Sequence, residues 1–409
     1  MQVEDKNGFS IKYEKNLEIK KDEDYPLKLK KSVKEIIQKE GFTDNKITVR
    51  SIPSDGGNCL AKLFEINING KTKEGNKNMD IFVKQILSDQ MLTMFSITDA
   101  YIKEVFAYSE LLKIYDKLQI EAKIPYEERF KFVKCYEETD REFIILEDIS
   151  KKGFTTPDRL KPISLDFAKL SIEQIAKFHA LSFVLEKKHP DYFNRKVKCQ
   201  KHCFTFDEEW NKFIDNFCRI SMKSLDHEMK KKVENIIPKI LEKYPDYHLN
   251  TNTLCCLCHG DFRSNNVMMK MNDDLVEEVM LLDFQIIEYS CPLNDLFYFI
   301  FSTTDQQFRK DHLEDLKNLY HDTLGDFLMY FDMDVNDYFP RKTFDRLYKE
   351  RLDFGLLTAV WFLPIVLADH DDAPDFSSQS AAEMNFKTDG SMKGRLEGIL
   401  HDFIQWGYL

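Results

Sequence analysis

The sequence lacks an apolar run long enough to cross a bilayer. A membrane-spanning helix needs about 20 apolar residues. The longest apolar run, FGLLTAVWFLPIVLA at 354–368, has 15 residues and contains Pro364, so it predicts a buried helix kinked at the proline. The first residues, MQVEDKNGFSIKYEK, are charged and lack the apolar segment of a secretory signal. We therefore expect no membrane span and a cytoplasmic location.

The sequence also lacks an excess of positive charge. Its 58 lysines and arginines are outnumbered by 70 aspartates and glutamates, which gives a formal net charge of −12. Neutralising nucleic-acid phosphates requires clustered lysine and arginine, so the composition argues against a nucleic-acid partner.

The cysteines form no regular framework. There are nine of them, an odd number without even spacing, which is typical of reduced thiols. Cys255 and Cys258 have a zinc-ligand spacing beside His259, but no second cysteine pair lies near them. A strand would turn Cys256 and Cys258 to one face and Cys255 to the other, so we interpret these residues as buried strand thiols.

No internal repeat or low-complexity tract interrupts the 409 residues, and 43% hydrophobic content is ample for a large core. The most informative stretch is 254–285, where two apolar runs, 254–258 and 279–282, are each followed by a carboxylate, Asp261 and Asp283.

Asn266 follows Asp261 by five residues and adds an amide oxygen without a third negative charge. Mg²⁺ takes oxygen ligands, so one carboxylate and the amide suit the metal of a nucleoside triphosphate, while the other carboxylate can orient a hydroxyl. The set indicates phosphoryl transfer. The alternative is a chance HGD tripeptide whose carboxylate only caps a helix.

The N-terminal third predicts a helix followed by a sheet. Leu29, Val33, Ile36 and Ile37 repeat at helical spacing before a stop at Gly41. Apolar runs then predict an antiparallel meander of three strands at 47–52, 60–68 and 79–86.

The turn between the first two strands contains Gly56, Gly57 and Asn58. Two glycines let a backbone approach a phosphate closely, although any hairpin can use Gly-Gly. No Gly-Lys-Ser/Thr follows, so the turn is not a Walker A motif.

Lys84 lies inside the third apolar run, and a half-buried ammonium needs a partner. A helix predicted over 99–118 places Glu104 on the same inward face as Tyr101 and Tyr108. Burying either charge alone would cost several kcal/mol, so we expect Lys84 and Glu104 to pair. The alternative is a snorkelling surface lysine and an exposed glutamate.

Further along, 130–136 and 142–148 predict a hairpin, and Gly153 to Pro157 mark a linker, which places a lobe boundary near residue 150. The pattern then becomes helical, at 165–187, 206–218 and 229–244. His179 is expected to be a hydrogen-bonded core residue without a chemical role. Asp295 is expected to accept backbone N–H groups from the loop at Asp261.

HGDFRSNN, LLDFQ and PLNDLFYF resemble the ecdysteroid kinase-like family of insects, within the aminoglycoside phosphotransferase and choline kinase group. The resemblance covers roughly 45–370. It implies an α+β, bilobal protein-kinase-like fold, with a small N-lobe at 1–150 and a larger, mostly helical C-lobe at 151–409. It also implies ATP and Mg²⁺ as cofactors and a small-molecule alcohol, of sterol or xenobiotic type, as substrate.

Carried over by position, the resemblance implies that Asp261 is the catalytic base and that Asn266 and Asp283 are the Mg²⁺ ligands. Lys84 would clamp phosphates, and Glu104 would hold Lys84.

At one position the sequence departs from the family pattern. Arg263 stands where relatives often carry tryptophan, and it either contacts the γ-phosphate or is a surface charge. The nucleotide would lie under the glycine turn and against the hinge; the residues concerned are Gly56, Gly57, Asn58, Leu146, Glu147 and Ile149.

Alternative functions stay open. Choline or ethanolamine kinase-like activity needs aromatic and anionic groups, for which Asp369, Asp371 and Asp372 are candidates, whereas Trp361 and Phe362 favour an apolar acceptor wall. A pseudokinase binding module is a second alternative. A metal hydrolase using His259, Asp261 and Asp283 is a third.

Overall fold

The computed structural model describes residues 25–52, 61–86, 94–369, 372, 374, 380 and 383–409. Across those residues, no helix combines the length and the apolar character that a membrane crossing requires. The predicted α+β, bilobal protein-kinase-like fold is present, with an antiparallel sheet in the smaller lobe and a larger helical lobe.

The smaller lobe is built on a four-stranded antiparallel sheet in the order β1-β2-β3-β4, which confirms the predicted meander. Its elements are α1 (Leu27–Lys39), β1 (Phe42–Ile52), β2 (Ala61–Thr72), β3 (Gly75–Ile86), α2 (Ile97–Phe106), a π-helical turn (Ala107–Leu111), α3 (Leu112–Glu121) and β4 (Phe143–Glu147). The apolar stripe of α1, including Leu29 and Val33, shares a core with Phe64, Ile66 and Ile81 of the sheet, because strand alternation turns these side chains to one face.

The predicted hairpin at 130–136 and 142–148 is only partly correct. Its second half is β4, which pairs with β3, but the first half makes a single bridge, between Cys135 and Leu146. Side chains replace the missing ladder, because Gln119 bonds both the N–H and the C=O of Phe130. A strand whose backbone groups are satisfied by side chains has less need of a neighbour.

The larger lobe begins after a 3₁₀ turn at Ile149–Lys152. Its elements are β5 (Phe154–Thr155), α4 (Leu165–Lys188), α5 (Pro190–Lys196), α6 (Glu208–Met222), α7 (His227–Leu249), β6 (Cys256–Cys258), β7 (Val267–Asn272), β8 (Leu275–Leu281), β9 (Glu288–Ser290), α8 (Leu293–Thr303), α9 (Gln306–Met329), α10 (Val335–Tyr338), α11 (Arg341–Arg351), α12 (Asp353–Val366) and α13 (Met392–Gln405).

Aspartate side chains cap the first turns of two helices in this lobe. Asp207 accepts the N–H groups of Glu209 and Trp210 at the start of α6, and Asp226 accepts that of Met229 at the start of α7, as N-cap carboxylates do. α7 continues five residues beyond its predicted end. α12 is buried along nearly its whole length, and Pro364 lies in its last turn, where the helix ends shortly afterwards.

The start of α2 is attached to the larger lobe. Phe95, just before α2, forms an antiparallel bridge with Phe204, and their rings lie 4.8 Å apart. The Ser96 N–H donates to the Cys203 carbonyl at 2.9 Å. Ile97 packs in the same small cluster, so the helix that contains Glu104 is held by both lobes.

Candidate active site

The loop that contains Asp261 follows β6, which pairs antiparallel with β9. Asp295, in the first turn of α8, accepts the backbone N–H groups of His259 at 2.6 Å and Gly260 at 2.9 Å. This confirms the predicted structural role of Asp295. Gly260 has φ +80°, and a Cβ there would lie 2.2 Å from the Ile286 carbonyl oxygen, so the loop needs a glycine at this point.

The His179 side chain contacts the Asp295 carboxylate. Its Nε2 lies 3.0 Å from the Asp295 carboxylate and its Nδ1 lies 2.7 Å from the Tyr320 hydroxyl. The imidazole is fully buried, which confirms the prediction of a hydrogen-bonded core residue. Burial opposes the imidazolium, but the hydrogen bonds to Asp295 and Cys258 and the charges of these two groups together outweigh it and raise the pKa of His179 to about 9.

The Asp261 carboxylate is held at both oxygens. Arg263 Nε donates to Oδ1 at 3.0 Å, and Asn266 Nδ2 donates to Oδ2 at 2.8 Å and to the Asp261 carbonyl at 2.9 Å. Arg263 is therefore not a free surface charge, because its guanidinium lies against Asp261 and 5.7 Å from the centre of the Phe362 ring. These two donors fix the direction in which Asp261 presents its remaining lone pairs.

The β7–β8 hairpin brings Asn266 and Asp283 together. The two residues flank the hairpin at its open end, where Val267 pairs with Leu281 and the Leu282 N–H donates to the Asn266 carbonyl at 2.8 Å. Asp283 has a left-handed backbone, with φ 64° and ψ 59°, a conformation that aspartate tolerates better than most residues.

Lys84 lies between two carboxylates. Its Nζ is 2.6 Å from Glu104 Oε2 and 2.7 Å from Asp283 Oδ1, with Gln285 Oε1 at 3.4 Å. The predicted pairing with Glu104 is confirmed. The second contact, to Asp283, joins the small-lobe sheet directly to the end of the hairpin.

Burial and charge act against each other in this group. Burial opposes the Lys84 ammonium, but Asp283 and Glu104 raise the pKa of Lys84 above its ordinary value. Burial raises the pKa of Glu104 to about 7, although Lys84 pulls it down. Burial also opposes ionisation of Asp283, yet Lys84 holds its pKa below the ordinary value. Asp283 is therefore ionised at neutral pH.

A cleft of about 290 Å³ opens between the lobes beside these groups. Leu146, Glu147 and Ile149, which the family resemblance assigns to the nucleotide hinge, line this cleft together with Lys84 and Asp283. Apolar side chains cover much of the remaining wall; these are Ile52, Leu63, Phe82, Val133, Met268 and Leu282. A flat aromatic ring bound between apolar walls would fit such a cleft. Gly56, Gly57 and Asn58 lie outside the described residues.

The sequence analysis missed two residues that hydrogen-bond Asp283. The Tyr108 hydroxyl accepts the Asp283 N–H at 3.3 Å, and Gln285 donates to Asp283 Oδ2 at 3.3 Å. The sequence did contain signals for both residues, because Tyr108 lies on the same inward helix face as Glu104 and Gln285 is the last residue of the LLDFQ motif. Tyr108 lies in the π-helical turn, and such turns are frequent at functional sites.

His259 has both ring nitrogens engaged by backbone. Nδ1 accepts the Asp261 N–H at 3.3 Å, so Nε2 carries the proton and donates to the Leu282 carbonyl at 2.9 Å. This arrangement argues against the hydrolase alternative, which needs His259 as a metal ligand. Cys256 and Cys258 are buried with sulfurs 4.0 Å apart, on one face of the strand as predicted.

The sequence model of the ecdysteroid kinase-like family matches residues 55–333, which is more than half of the chain. No curated protein matches the chain.

Similar solved structures include an ethanolamine kinase of Plasmodium vivax, with 12% identity, 89% of this chain and 84% of that chain covered, and a TM-score of 0.43. Another is the aminoglycoside phosphotransferase APH(3'')-Id of Streptomyces rimosus in complex with ADP and streptomycin, with 14% identity, 75% and 98% covered, and a TM-score of 0.37.

Proposed function

The chain belongs to the ecdysteroid kinase-like family, and we propose on that basis that it is an ATP-dependent kinase that phosphorylates the hydroxyl group of a small-molecule alcohol. The observation that carries the proposal is the arrangement at one cleft of an ion-paired lysine, Lys84, two oxygen-donor side chains, Asn266 and Asp283, and a separately held carboxylate, Asp261.

Lys84 has the role of a phosphate clamp in this proposal. An ammonium has three donors, so Lys84 can keep its bond to Glu104 while it contacts the α- and β-phosphates of the nucleotide. Leu146, Glu147 and Ile149 would bind the adenine at the hinge.

Asn266 and Asp283 suit Mg²⁺. Asn266 uses its Nδ2 on Asp261, which leaves its amide oxygen for a cation, and Asp283 supplies an ionised carboxylate. A donor set made of oxygens alone fits this hard cation. When bound, Mg²⁺ supplies neutralisation of the phosphate charge.

Asp261 has the role of base. Its carboxylate accepts the proton of the attacking hydroxyl while the hydroxyl oxygen bonds the γ-phosphorus and the bond to the β-phosphate oxygen breaks, which leaves ADP. Arg263 fixes one carboxylate oxygen, and its remaining N–H groups are available to the transferred phosphoryl group.

The charges near Asp261 favour a neutral acceptor of sterol type over choline. Arg263 lies against the base. Arg159 is within electrostatic range of Arg263, and Asp158, Asp369 and Asp389 are within range of Arg159 as well. Two guanidinium groups repel a quaternary ammonium. Phe362, which contacts Arg263 and lies 4.9 Å from Tyr298, offers apolar surface instead.

The test of the kinase proposal separates Asp261 from Asp283. Asp283→Ala should weaken binding of Mg·ATP, because a charged ligand is lost. Asp261→Asn should leave that binding nearly unchanged and lower turnover by roughly 10²–10⁴-fold. Asp274→Asn, in the exposed turn of the same hairpin, is the matched control and should change neither. Equal loss of ATP affinity in both active-site variants would contradict the assigned roles.

The acceptor is tested with purified protein and a panel of neutral polycyclic alcohols, choline and ethanolamine, with ADP release as the readout. We expect turnover with a neutral apolar alcohol. Efficient phosphorylation of choline with no activity on any apolar alcohol would refute the sterol-type assignment and leave the kinase assignment standing.

A further inference from the structure

Three side chains with metal-ligand chemistry meet at the start of β9, and none of them is assigned to Mg²⁺. Glu288 begins β9 opposite Cys258 of β6. His248 lies near the end of α7, and His202 lies in the segment between α5 and α6. Their candidate ligand atoms all lie within 4.8 Å of one another.

The carboxylate is shared by the two imidazoles. His202 Nε2 is 2.9 Å from Glu288 Oε2, and His248 Nδ1 is 2.8 Å from Glu288 Oε1. The side chains of Glu288, His248 and His202 are 6%, 10% and 13% exposed, so the group is sheltered but reachable from solvent.

These separations are close to those of a tetrahedral metal site. Bonds of about 2.0–2.2 Å place neighbouring ligand atoms about 3.3 Å apart. The present separations, 2.8 and 2.9 Å to the two carboxylate oxygens and at most 4.8 Å among the candidate ligand atoms, lie on both sides of that value. A cation would replace the two protons that now lie between the carboxylate and the rings.

His202 has the backbone support that a ligating histidine needs. Its Nδ1 lies 3.1 Å from both the N–H and the carbonyl oxygen of Phe204. When Nε2 binds a metal, the ring proton moves to Nδ1 and requires an acceptor, and the Phe204 carbonyl provides one.

The surroundings of the His248 ring also support a metal site. Its Nε2 is buried and has no hydrogen-bond partner among the described residues. The ring lies 4.7 Å from Tyr244, 5.6 Å from Phe354 and 6.1 Å from Phe206, between ring centres. Aromatic faces attract an N–H and repel a lone pair, so this environment accommodates the proton that moves to Nε2 when Nδ1 gives up its bond to Glu288 and binds a metal.

We propose that His202 Nε2, His248 Nδ1 and one oxygen of Glu288 bind a zinc-class divalent cation, with solvent at the fourth position. Two imidazoles select such an ion over Mg²⁺, which prefers oxygen. The ion would tie the 197–207 segment and the end of α7 to β9, the strand that pairs with β6 immediately before the loop of Asp261.

The experiment uses the full chain, stripped with chelator and dialysed against Zn²⁺, and measures zinc per chain by mass spectrometry and thermal unfolding with and without Zn²⁺. His227→Gln, an exposed histidine on the same helix α7, is the matched control. We expect about one zinc per chain and a zinc-dependent rise in Tm for the native chain and this control.

Removal of a ligand should weaken zinc binding by more than the roughly 100-fold cost of disturbing a ligand's hydrogen-bond partner. Glu288→Gln and His248→Gln are the two tests, and His202→Gln replaces either that fails to fold in far-UV circular dichroism. Co²⁺ should give a tetrahedral absorption spectrum in the native chain and in His227→Gln but not in the ligand variants. Absence of zinc from the native chain, or equal zinc binding in the native chain and the ligand variants, would overturn the proposal.

Discussion

Replacing Lys84 with methionine removes the cation that lies between Glu104 and Asp283. Breaking a buried ion pair by removing one partner costs about 3–5 kcal/mol. Because the Asp283 side chain is 25% exposed while that of Glu104 is 3% exposed, we expect the lower part of that range, about 3 kcal/mol in the free energy of unfolding.

Glu104→Gln should cost less. The glutamine keeps an acceptor for Lys84, which also keeps its bond to Asp283, so the expected loss is about 1 kcal/mol. In the Lys84→Met/Glu104→Gln double variant no second buried carboxylate remains near Asp283. Its loss should therefore fall short of the sum of the single losses by about 1–2 kcal/mol.

The assay is urea unfolding followed by far-UV circular dichroism. Tryptophan fluorescence would miss the smaller lobe, because Trp210, Trp361 and Trp406 all lie in or next to helices of the larger lobe. The matched control is the exposed pair Lys212 and Glu208, one helical turn apart, for which the same cycle should give a coupling below about 0.5 kcal/mol.

The pH dependence gives an internal check. Burial raises the pKa of Glu104 to about 7, above its unfolded value of about 4.3. Proton uptake by Glu104 therefore favours the folded state at lower pH, and loss of Lys84 strengthens that preference. The loss in the free energy of unfolding caused by Lys84→Met should therefore be smaller at pH 5.5 than at pH 8. Additive single losses, or a deficit that grows on acidification, would refute the reasoning.

Gly260→Ala should lower stability by more than about 1 kcal/mol and reduce turnover, since the new Cβ meets the Ile286 carbonyl at a left-handed φ; unchanged turnover would contradict this. Gly394→Ala, with open space around a helical glycine, is the control and should be neutral or stabilising. His179 titrates at about 9 when folded and at about 6.5 when unfolded, so its contribution, about 3 kcal/mol, is complete below pH 6.5 and lost as pH rises through 9. Urea unfolding from pH 6 to 9.5 should show this fall in the native chain and a flatter profile in His179→Gln; equal slopes would contradict it.

Local periodicity predicted those parts of the site whose partners lie in regular elements. Glu104 could be assigned to the inward face of its helix, and Lys84 to an apolar strand, so their pairing followed from the cost of burying either charge alone. Asp295 could be predicted to support the loop at Asp261 because it lies in the first turn of a helix just after the LLDFQ motif.

Other contacts depend on chain geometry that periodicity does not encode. The bond from Lys84 to Asp283 spans 199 residues and depends on the left-handed backbone of Asp283. The predicted strand at 130–136 makes only one bridge with its neighbour, because the Gln119 side chain bonds the backbone N–H and C=O of Phe130. His202, His248 and Glu288 come from a loop, a helix end and a strand, so no spacing in the sequence connects them.

The bridge between Phe95 and Phe204 has a mechanical consequence. It pins the start of α2 to the larger lobe, and the bond from Asp283 to Tyr108 pins the turn after α2 as well. If the cleft widens to exchange nucleotide, α2 cannot move freely with either lobe, because its Tyr101 hydroxyl also donates to the Lys84 carbonyl of the sheet. Lys84 lies on the sheet and Asp283 lies in the larger lobe, so opening stretches their ion pair and closure restores it. That ion pair would then act as a latch that is closed only when the cleft is closed.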